Sequence, residues 1–208
     1  MKFKYLMLIP VLLSGTVYAD AIVECASNFL KNEYSKAFPY CQEACNMRYG
    51  AGCFYVGVFY ENGYGVKQDY IQAKTYYEKS CNMNEGIGCA GLGSLYLNGH
   101  GVRQDYSQAI TYYERACSLN LGSGCYDLGI IYDNGRGVRQ DYIQAKTYYE
   151  KSCNLNYGVG CNNLGYLYAN GLGVRLNITM AKEYFGKACD YGHQKGCDNY
   201  RQAKELGY

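Results

Sequence analysis

The cysteines are the residues of this chain whose type and spacing are best suited to chemistry. Ten of the twelve form five pairs with their members eight positions apart, and successive pairs recur every 36 residues. Cysteines so placed could bind zinc, act as a redox dithiol, or form structural disulfides. The pairs are Cys45 and Cys53, Cys81 and Cys89, Cys117 and Cys125, Cys153 and Cys161, and Cys189 and Cys197.

Structural disulfides fit these cysteines best. Zinc sites and redox dithiols usually contain C-x-x-C, which is absent, and the chain has only two histidines, so we expect no metal site and no cofactor. The repetition favours pairing within each eight-residue spacing, which would join the second helix of one repeat to the first helix of the next. Cys41 lies one helical turn before Cys45 and should face the first helix, where Cys25 lies. We therefore predict a sixth bond between Cys25 and Cys41.

Residues 1–19 have the three parts of a secretory signal peptide. Two lysines precede an apolar run from Leu6 to Leu13, and small residues follow as far as Ala19. The run is shorter than the roughly 20 residues that span a membrane. We expect cleavage after Ala19, with Ala21 as a second choice, and a secreted or periplasmic product without a membrane anchor. Such a compartment allows disulfides to form.

The charge balance argues against nucleic acid as a partner. The 208 residues contain 20 Lys and Arg against 18 Asp and Glu, and removal of Lys2 and Lys4 with the signal peptide would leave 18 of each sign. Binding to a phosphate backbone needs a clustered excess of positive charge. We therefore expect no nucleic-acid partner, and we expect the protein to be a monomer.

The 36-residue period predicts an all-α solenoid of helix-turn-helix repeats. Residues 69–82 recur unchanged as residues 141–154. In each repeat, a first helix should begin at the second cysteine of a pair and end at Asn-Gly, as from Cys89 to Asn98. A second helix should follow an Asp N-cap with Gln three residues later in a capping box, as at Asp105 and Gln108.

The same pattern predicts one repeat domain over residues 20–208. Its parts are a truncated cap at about 20–51, repeats at 52–87, 88–123, 124–159 and 160–195, and a C-terminal capping helix at 196–208. Cys25 to Cys45 spans 20 positions, whereas Cys53 to Cys81 spans 28. We therefore expect the cap to lack eight residues of the loop between its helices.

Comparison of the repeats separates packing positions from variable ones. Invariant small residues should let paired helices approach, and the invariant tyrosines should fill the core. The small residues are Gly57, Gly93, Gly129 and Gly165 in the first helix and Ala73, Ala109, Ala145 and Ala181 in the second. The tyrosines are Tyr60, Tyr96, Tyr132 and Tyr168.

The motifs resemble a known family. The C-x-x-L-G-x-x-Y-x-N-G pattern at 161–171 and A-x-x-Y-Y-x-x-A-C at 109–117 resemble Sel-one-like repeats, which are relatives of tetratricopeptide repeats. With the C-x7-C spacing, the chain resembles the Helicobacter cysteine-rich protein family. The resemblance implies a secreted right-handed solenoid that binds penicillin-type ligands and has slow β-lactamase activity.

The residues themselves supply no catalytic motif for that activity. S-x-x-K, S-D-N, K-T-G, G-x-S-x-G and H-E-x-x-H are all absent, so the catalytic residues are unknown and the hydrolase assignment rests on the resemblance. A non-enzymatic scaffold outside the cytoplasm is the alternative. The partner of such a scaffold would be an extracytoplasmic protein, a peptide or a glycan. The partner of the hydrolase would be a β-lactam or a small molecule derived from the cell wall.

Variable positions of the first helices are the candidate ligand site. By analogy with tetratricopeptide proteins, first helices line the concave surface, and the positions one, two and five after each second cysteine differ between repeats. Unselected variation on a solvated face would give the same pattern. The predicted ligand face consists of Tyr55, Val58, Ser94, Tyr126, Asp127, Ile130, Asn162, Asn163 and Tyr166.

Overall fold

The computed structural model describes the backbone of residues 9–207 and the side chains of residues 20–207. Over that part of the chain it contains eleven α-helices and no strand. The all-α prediction is therefore confirmed. The helices are α1 (Ile9–Leu30), α2 (Tyr34–Asn46), α3 (Gly50–Asn62), α4 (Tyr70–Asn82), α5 (Gly86–Asn98), α6 (Tyr106–Ser118), α7 (Gly122–Asn134), α8 (Tyr142–Asn154), α9 (Gly158–Asn170), α10 (Ile178–Asp190) and α11 (Gln194–Glu205).

The predicted signal peptide overlaps the start of the described chain. Its residues 1–8 lie outside the described residues, and residues 9–19 form the first half of α1. Cleavage after Ala19 stays a prediction. Among the helices that the structure describes, none combines the length and the apolar character needed to cross a bilayer.

The chain divides into two compact bodies. The N-terminal body comprises residues up to 95 together with 100–102, and the C-terminal body comprises residues 96–99 together with 103 onward. The N-terminal body pairs α1 with α2 and α3 with α4, and the C-terminal body pairs α7 with α8, α9 with α10, and α10 with α11.

The first helix of a repeat begins three residues earlier than predicted. Helix α5 starts at Gly86, not at Cys89, and helices α3, α7 and α9 begin at the equivalent glycines. The residues preceding α3, α7 and α9 make no side-chain capping hydrogen bond. Their N-termini therefore carry no N-cap signal that a sequence could reveal.

The second helices have the predicted N-caps but not the predicted capping boxes. Asp105 Oδ1 accepts a hydrogen bond from the Gln108 backbone N–H at 3.0 Å, and Asp69, Asp141 and Asn177 cap their helices in the same way. The Asp105 backbone N–H, however, donates to the Tyr96 carbonyl oxygen at 2.9 Å. The reciprocal bond from the Gln108 side chain was wrongly predicted, because the end of the preceding helix already satisfies that donor.

Glycine allows the close crossing inside each hairpin. A Cβ on Gly129 would lie 2.4 Å from the Tyr149 ring, and one on Gly57 would lie 2.5 Å from the Tyr77 ring. The predicted packing role of these glycines is confirmed. The predicted core tyrosines border the core, whereas the fully buried tyrosines lie in the second helices. Tyr132 is half-buried and stacks on the Tyr148 ring at 5.5 Å, whereas Tyr149 is fully buried.

Six disulfides join the cysteines in the pairs expected from their spacing. Five connect the second helix of one repeat to the first helix of the next, and Cys25–Cys41 connects α1 to α2. In the five bonds between repeats, a glycine directly before the second cysteine allows the helices to approach. A Cβ on Gly124 would lie 2.7 Å from the Ala116 Cβ. Sequence analysis overlooked this Gly-Cys pair, although it occurs five times.

The first hairpin is shortened less than predicted. Residues 31–33 join α1 to α2, whereas residues 63–69 join α3 to α4, so the loop is four residues shorter and not eight. Cys25 lies five residues before the end of its helix, as Gly57 does, and Cys41 has the helical position of Tyr77. Cys25 is therefore the counterpart of Gly57 and not of Cys53, which is why counting from cysteine to cysteine overestimated the deletion.

Candidate functional site

The predicted ligand face in the N-terminal body is filled by its own side chains. The Tyr55 ring packs on Phe29 with 4.9 Å between centroids, and Val58 and Ser94 are half-buried. The neighbouring Phe54 ring stacks on Tyr77 at 5.7 Å. Tyr55 and Phe54 are thus engaged with neighbouring rings of the same body.

In the C-terminal body, three predicted residues lie together with three that the sequence analysis did not select. Helices α7, α8 and α9 and the turn before α9 bring phenols, carboxylates and an amide to one place. This tyrosine–carboxylate cluster consists of Tyr126, Asp127, Asp133, Tyr149, Tyr157 and Asn163.

Tyr126 is the central ring of the cluster. Its centroid lies 5.6 Å from that of Tyr157 and 5.9 Å from that of Tyr149, and both pairs are tilted instead of stacked flat. The Tyr149 hydroxyl donates a hydrogen bond to Asp133 Oδ2 at 2.9 Å. Tyr149 is thus held in the core, while Tyr126 and Tyr157 are only half-buried and can be reached from solvent.

Asp127 is the unusual group of the cluster. Its side chain is half-buried and forms no hydrogen bond or salt bridge within the described residues. Burial raises the pKa of Asp127 to about 7, because the carboxylate loses hydration without gaining a partner. Burial also raises the pKa of Tyr126 and of Tyr157, and the nearby Asp127 charge raises both further. Hydrogen bonding to the Asn163 amide opposes the rise at Tyr126.

Of the remaining predicted residues, two pack against other parts of the protein and one is exposed. Asn162 is only 5% exposed, and its Oδ1 accepts a hydrogen bond from Asn199 Nδ2 of α11 at 2.8 Å. Its assignment to a ligand face is therefore wrong, because α11 packs against α9 and covers it. Ile130 packs against the core around Tyr149, whereas Tyr166 remains 55% exposed.

Comparison of the repeats gives a partial signal for the acid that holds Tyr149. Glu61 and Asp133 occupy equivalent positions, and they accept hydrogen bonds from the equivalent hydroxyls of Tyr77 and Tyr149. In the last repeat the ring is Phe185, which has no hydroxyl, and the position of the acid is taken by alanine. In the repeat of α5 and α6, however, the ring Tyr113 keeps its hydroxyl while Leu97 takes the position of the acid, so the acid does not strictly accompany the phenol. The acid also lies outside the three variable positions that were compared. Tyr157 has no comparable signal.

The buried serines and the possible metal ligands of the described residues bear on the question of catalysis. Ser80 and Ser152 are fully buried, and Ser152 Oγ donates to the Gly122 carbonyl oxygen at 2.8 Å. Among the residues described, no three or more His, Cys, Asp or Glu side chains lie close enough to hold a metal ion. The cluster can accept hydrogen bonds and offer aromatic surface, which are binding functions.

Three solved structures illustrate what the fold resembles. Helicobacter pylori cysteine rich protein B (hcpB) is 38% identical over 64% of this chain and 96% of that chain, with a TM-score of 0.53. The protective antigen c5321 of uropathogenic Escherichia coli is 29% identical over 84% of this chain, with a TM-score of 0.73. This chain spans only 37% of that antigen. A Sel1 repeat protein from Oxalobacter formigenes is 20% identical over 89% of this chain and 86% of its own, with a TM-score of 0.74, and shares the fold.

The repeats also match a family profile directly. The Sel1 repeat matches four consecutive segments of 36 residues, at 50–85, 86–121, 122–157 and 158–193. No functionally curated protein matches the sequence. The disulfide-rich architecture is thus that of a repeat scaffold, and because the four matches cover well over half of its length, the chain belongs to the Sel1 repeat family.

Proposed function

We propose that this protein is an exported recognition scaffold that binds a protein or peptide partner through the tyrosine–carboxylate cluster of its C-terminal body. The observation that carries the proposal is Asp127. It is a half-buried carboxylate without a partner, it lies beside Tyr126 and Tyr157, and its position varies between repeats.

A purely structural role does not explain this arrangement. Burial of an unpaired carboxylate destabilises a fold, and proteins retain such groups mainly where function needs them. Tyrosine and asparagine are also the side chains that recognition surfaces favour, because they combine rigid contact area with adaptable hydrogen bonds. The exposed ring of Tyr166 on the same helix as Asn163 would extend the surface.

The bonds that hold the repeats together support export. Six disulfides include every cysteine of the described chain, and such bonds are typical of oxidising compartments. The proposal therefore includes removal of residues 1–19 as a signal peptide. Mass spectrometry of the protein recovered from the periplasm or the medium should give an N-terminus at Asp20. Retention of residues 1–19 would contradict this part of the proposal.

Penicillin binding and slow hydrolysis are expected only from the family resemblance, and the cluster favours them less. Penicillin-type β-lactams carry a carboxylate, which ionised Asp127 would repel. Hydrolytic activity toward a chromogenic β-lactam would instead favour this second function if three conditions hold. The activity must be saturable, it must copurify with the protein, and it must be lost in the Tyr126→Ala variant.

Selection from a displayed library of random peptides tests the scaffold proposal. The exported, oxidised protein would be the bait, and the Kd of selected peptides would be measured by calorimetry. We expect Tyr126→Ala to weaken binding at least tenfold, because it removes the central ring of the cluster. Tyr191→Ala is the control, since Tyr191 is a 42% exposed tyrosine outside the cluster. Failure to select any peptide, or equal binding by both variants, would reject the proposal.

A further inference from the structure

The tyrosine–carboxylate cluster contains many hydrogen-bond acceptors and no cation. Neither Asp127 nor Asp133 belongs to a salt bridge among the described residues. Asp133 is satisfied by the Tyr149 hydroxyl, but Asp127 has no such donor. The negative charge of the cluster therefore has no positive partner, and a cation would neutralise it.

We propose that the cluster binds a cationic side chain of the partner, the ammonium group of lysine or the guanidinium group of arginine, between Asp127 and the rings of Tyr126 and Tyr157. This inference rests on the proposed function, and it names the chemistry of the group that the partner supplies.

The ring geometry suits a cation. Tyr126 and Tyr157 have centroids 5.6 Å apart with their planes at 54°. A cation attracted to an aromatic face lies within about 6 Å of the ring centroid, so one group could contact both rings. The Asp127 charge raises the pKa of both phenols, so a lysine or arginine held on the rings would also be attracted to that carboxylate.

The surrounding groups leave the negative charge uncompensated. The titratable neighbours that act on Tyr126 are Asp127 and Asp133 of α7 and the Tyr157 phenol, whereas Asp127 is the one that acts on Tyr157. Tyr149 of α8 is kept neutral by burial, and α9 contributes the neutral Asn163 amide. No group of α6 contributes to these shifts. The neighbours that act on the two phenols therefore include no positive group.

The ionisation of Asp127 should control the affinity. Burial raises the pKa of Asp127 to about 7, so the carboxylate is mostly neutral at pH 5 and mostly charged at pH 8. A neutral acid cannot pair with an ammonium group. Affinity for a cation should accordingly rise between pH 5 and pH 8, and a neutral analogue of the same shape should show no such rise.

The experiment uses N-acetyl-lysine N-methylamide as the probe. Binding would be followed by NMR chemical shifts of the intact oxidised protein at pH 8 and pH 5. The neutral comparison is the same compound acetylated on its ε-nitrogen. Asp127→Asn is the test variant, and it should fold because asparagine occupies the equivalent positions 163 and 199. Asp190→Asn makes the same charge change at an exposed site on α10 and is the control.

We expect saturable shifts of the cluster with the lysine probe at pH 8. The Kd should be at least tenfold higher at pH 5 and in Asp127→Asn, and unchanged in Asp190→Asn. In peptides selected against the protein, exchange of the contacting lysine or arginine for norleucine should weaken binding to a similar extent.

Two results would overturn the inference while the proposed function stands. One is equal binding of the charged and neutral probes. The other is a set of selected peptides that depend on Tyr126 but lose nothing when their cationic residues are replaced. If the lysine probe does not bind and no peptide depends on Tyr126, the inference and the proposed function both fail.

Discussion

Two hairpins of this chain solve the same packing problem with different chemistry. In α7–α8, Gly129 faces the buried Tyr149 ring, whose hydroxyl is held by Asp133. In α1–α2, Cys25 and Cys41 occupy the equivalent two positions and are bonded to each other. A covalent bond thus replaces a glycine–tyrosine contact in the terminal hairpin, where the connecting loop is shorter. The position at which the two helices cross is therefore the same in both hairpins, although the residue types that meet there differ.

The two bodies also differ in the side chains at the variable positions of their first helices. In the N-terminal body, Tyr55 packs on Phe29 and the face is filled from within. In the C-terminal body, the equivalent position holds Asp127, which has no partner. Equivalent positions of the repeat therefore carry a ring packed on its neighbour in one body and an unpartnered carboxylate in the other.

Loss of the Cys25–Cys41 bond should have the largest effect on stability. Cys25→Ala with Cys41→Ala opens a 16-residue separation, which in the chain-entropy description costs about 3 kcal/mol of the free energy of unfolding. Urea denaturation under oxidising conditions measures it. Cys25→Gly with Cys41→Tyr introduces the pair used in the other hairpins and should recover part of the loss. A loss below about 1 kcal/mol would show that the bond does not hold this crossing.

Asp127→Asn should stabilise the protein at neutral and alkaline pH. The folded-state pKa of Asp127 is raised to about 7 from an ordinary value of 3.8, so the folded protein holds this proton more tightly than the unfolded chain does. Wild-type stability contributed by this group is therefore present below pH 4 and is lost as the pH rises to 7.

The variant should gain about 2 kcal/mol at pH 8, after allowance for solvent that still reaches the group, and nothing at pH 4. Urea denaturation at both pH values tests this, with Asp190→Asn as the control. An equal gain at pH 4 and pH 8 would contradict the assignment of a buried, unpaired carboxylate. If the gain at pH 8 comes with loss of cation binding, stability and function are opposed at this position.

Replacing each of two equivalent buried serines with alanine should change the stability of the protein in opposite directions. Ser152 Oγ donates to the Gly122 carbonyl oxygen, so Ser152→Ala should lose about 1 kcal/mol. Ser80 Oγ is buried without a hydrogen-bond partner, so Ser80→Ala should gain up to about 1 kcal/mol. Alanine fits this site, since it occupies the equivalent positions 44, 116 and 188. Thermal unfolding of the two variants side by side tests the difference, and losses of equal size would refute it.

Much of the architecture could be predicted because its signals are local and repeated. The period of 36, the aspartate N-caps and the Asn-Gly helix ends each act within a few residues, and the chain presents them several times. The disulfide pairing was also predictable, because the repetition favours pairing within each eight-residue spacing. Helix starts without a side-chain cap, as at Gly122, left no such signal and were misplaced.

The environment of each variable side chain was decided only by the tertiary structure. Asn162 is buried because Asn199, 37 residues later, lies against it, and Asp127 has no partner because no later helix supplies one. Cys25 is the counterpart of Gly57 only once both helices are aligned at their ends. The sequence by itself determined the all-α repeat and its disulfides, because those depend on short-range rules. Which residue is packed and which is left free depends on neighbours from other helices, and only the folded chain brings them together.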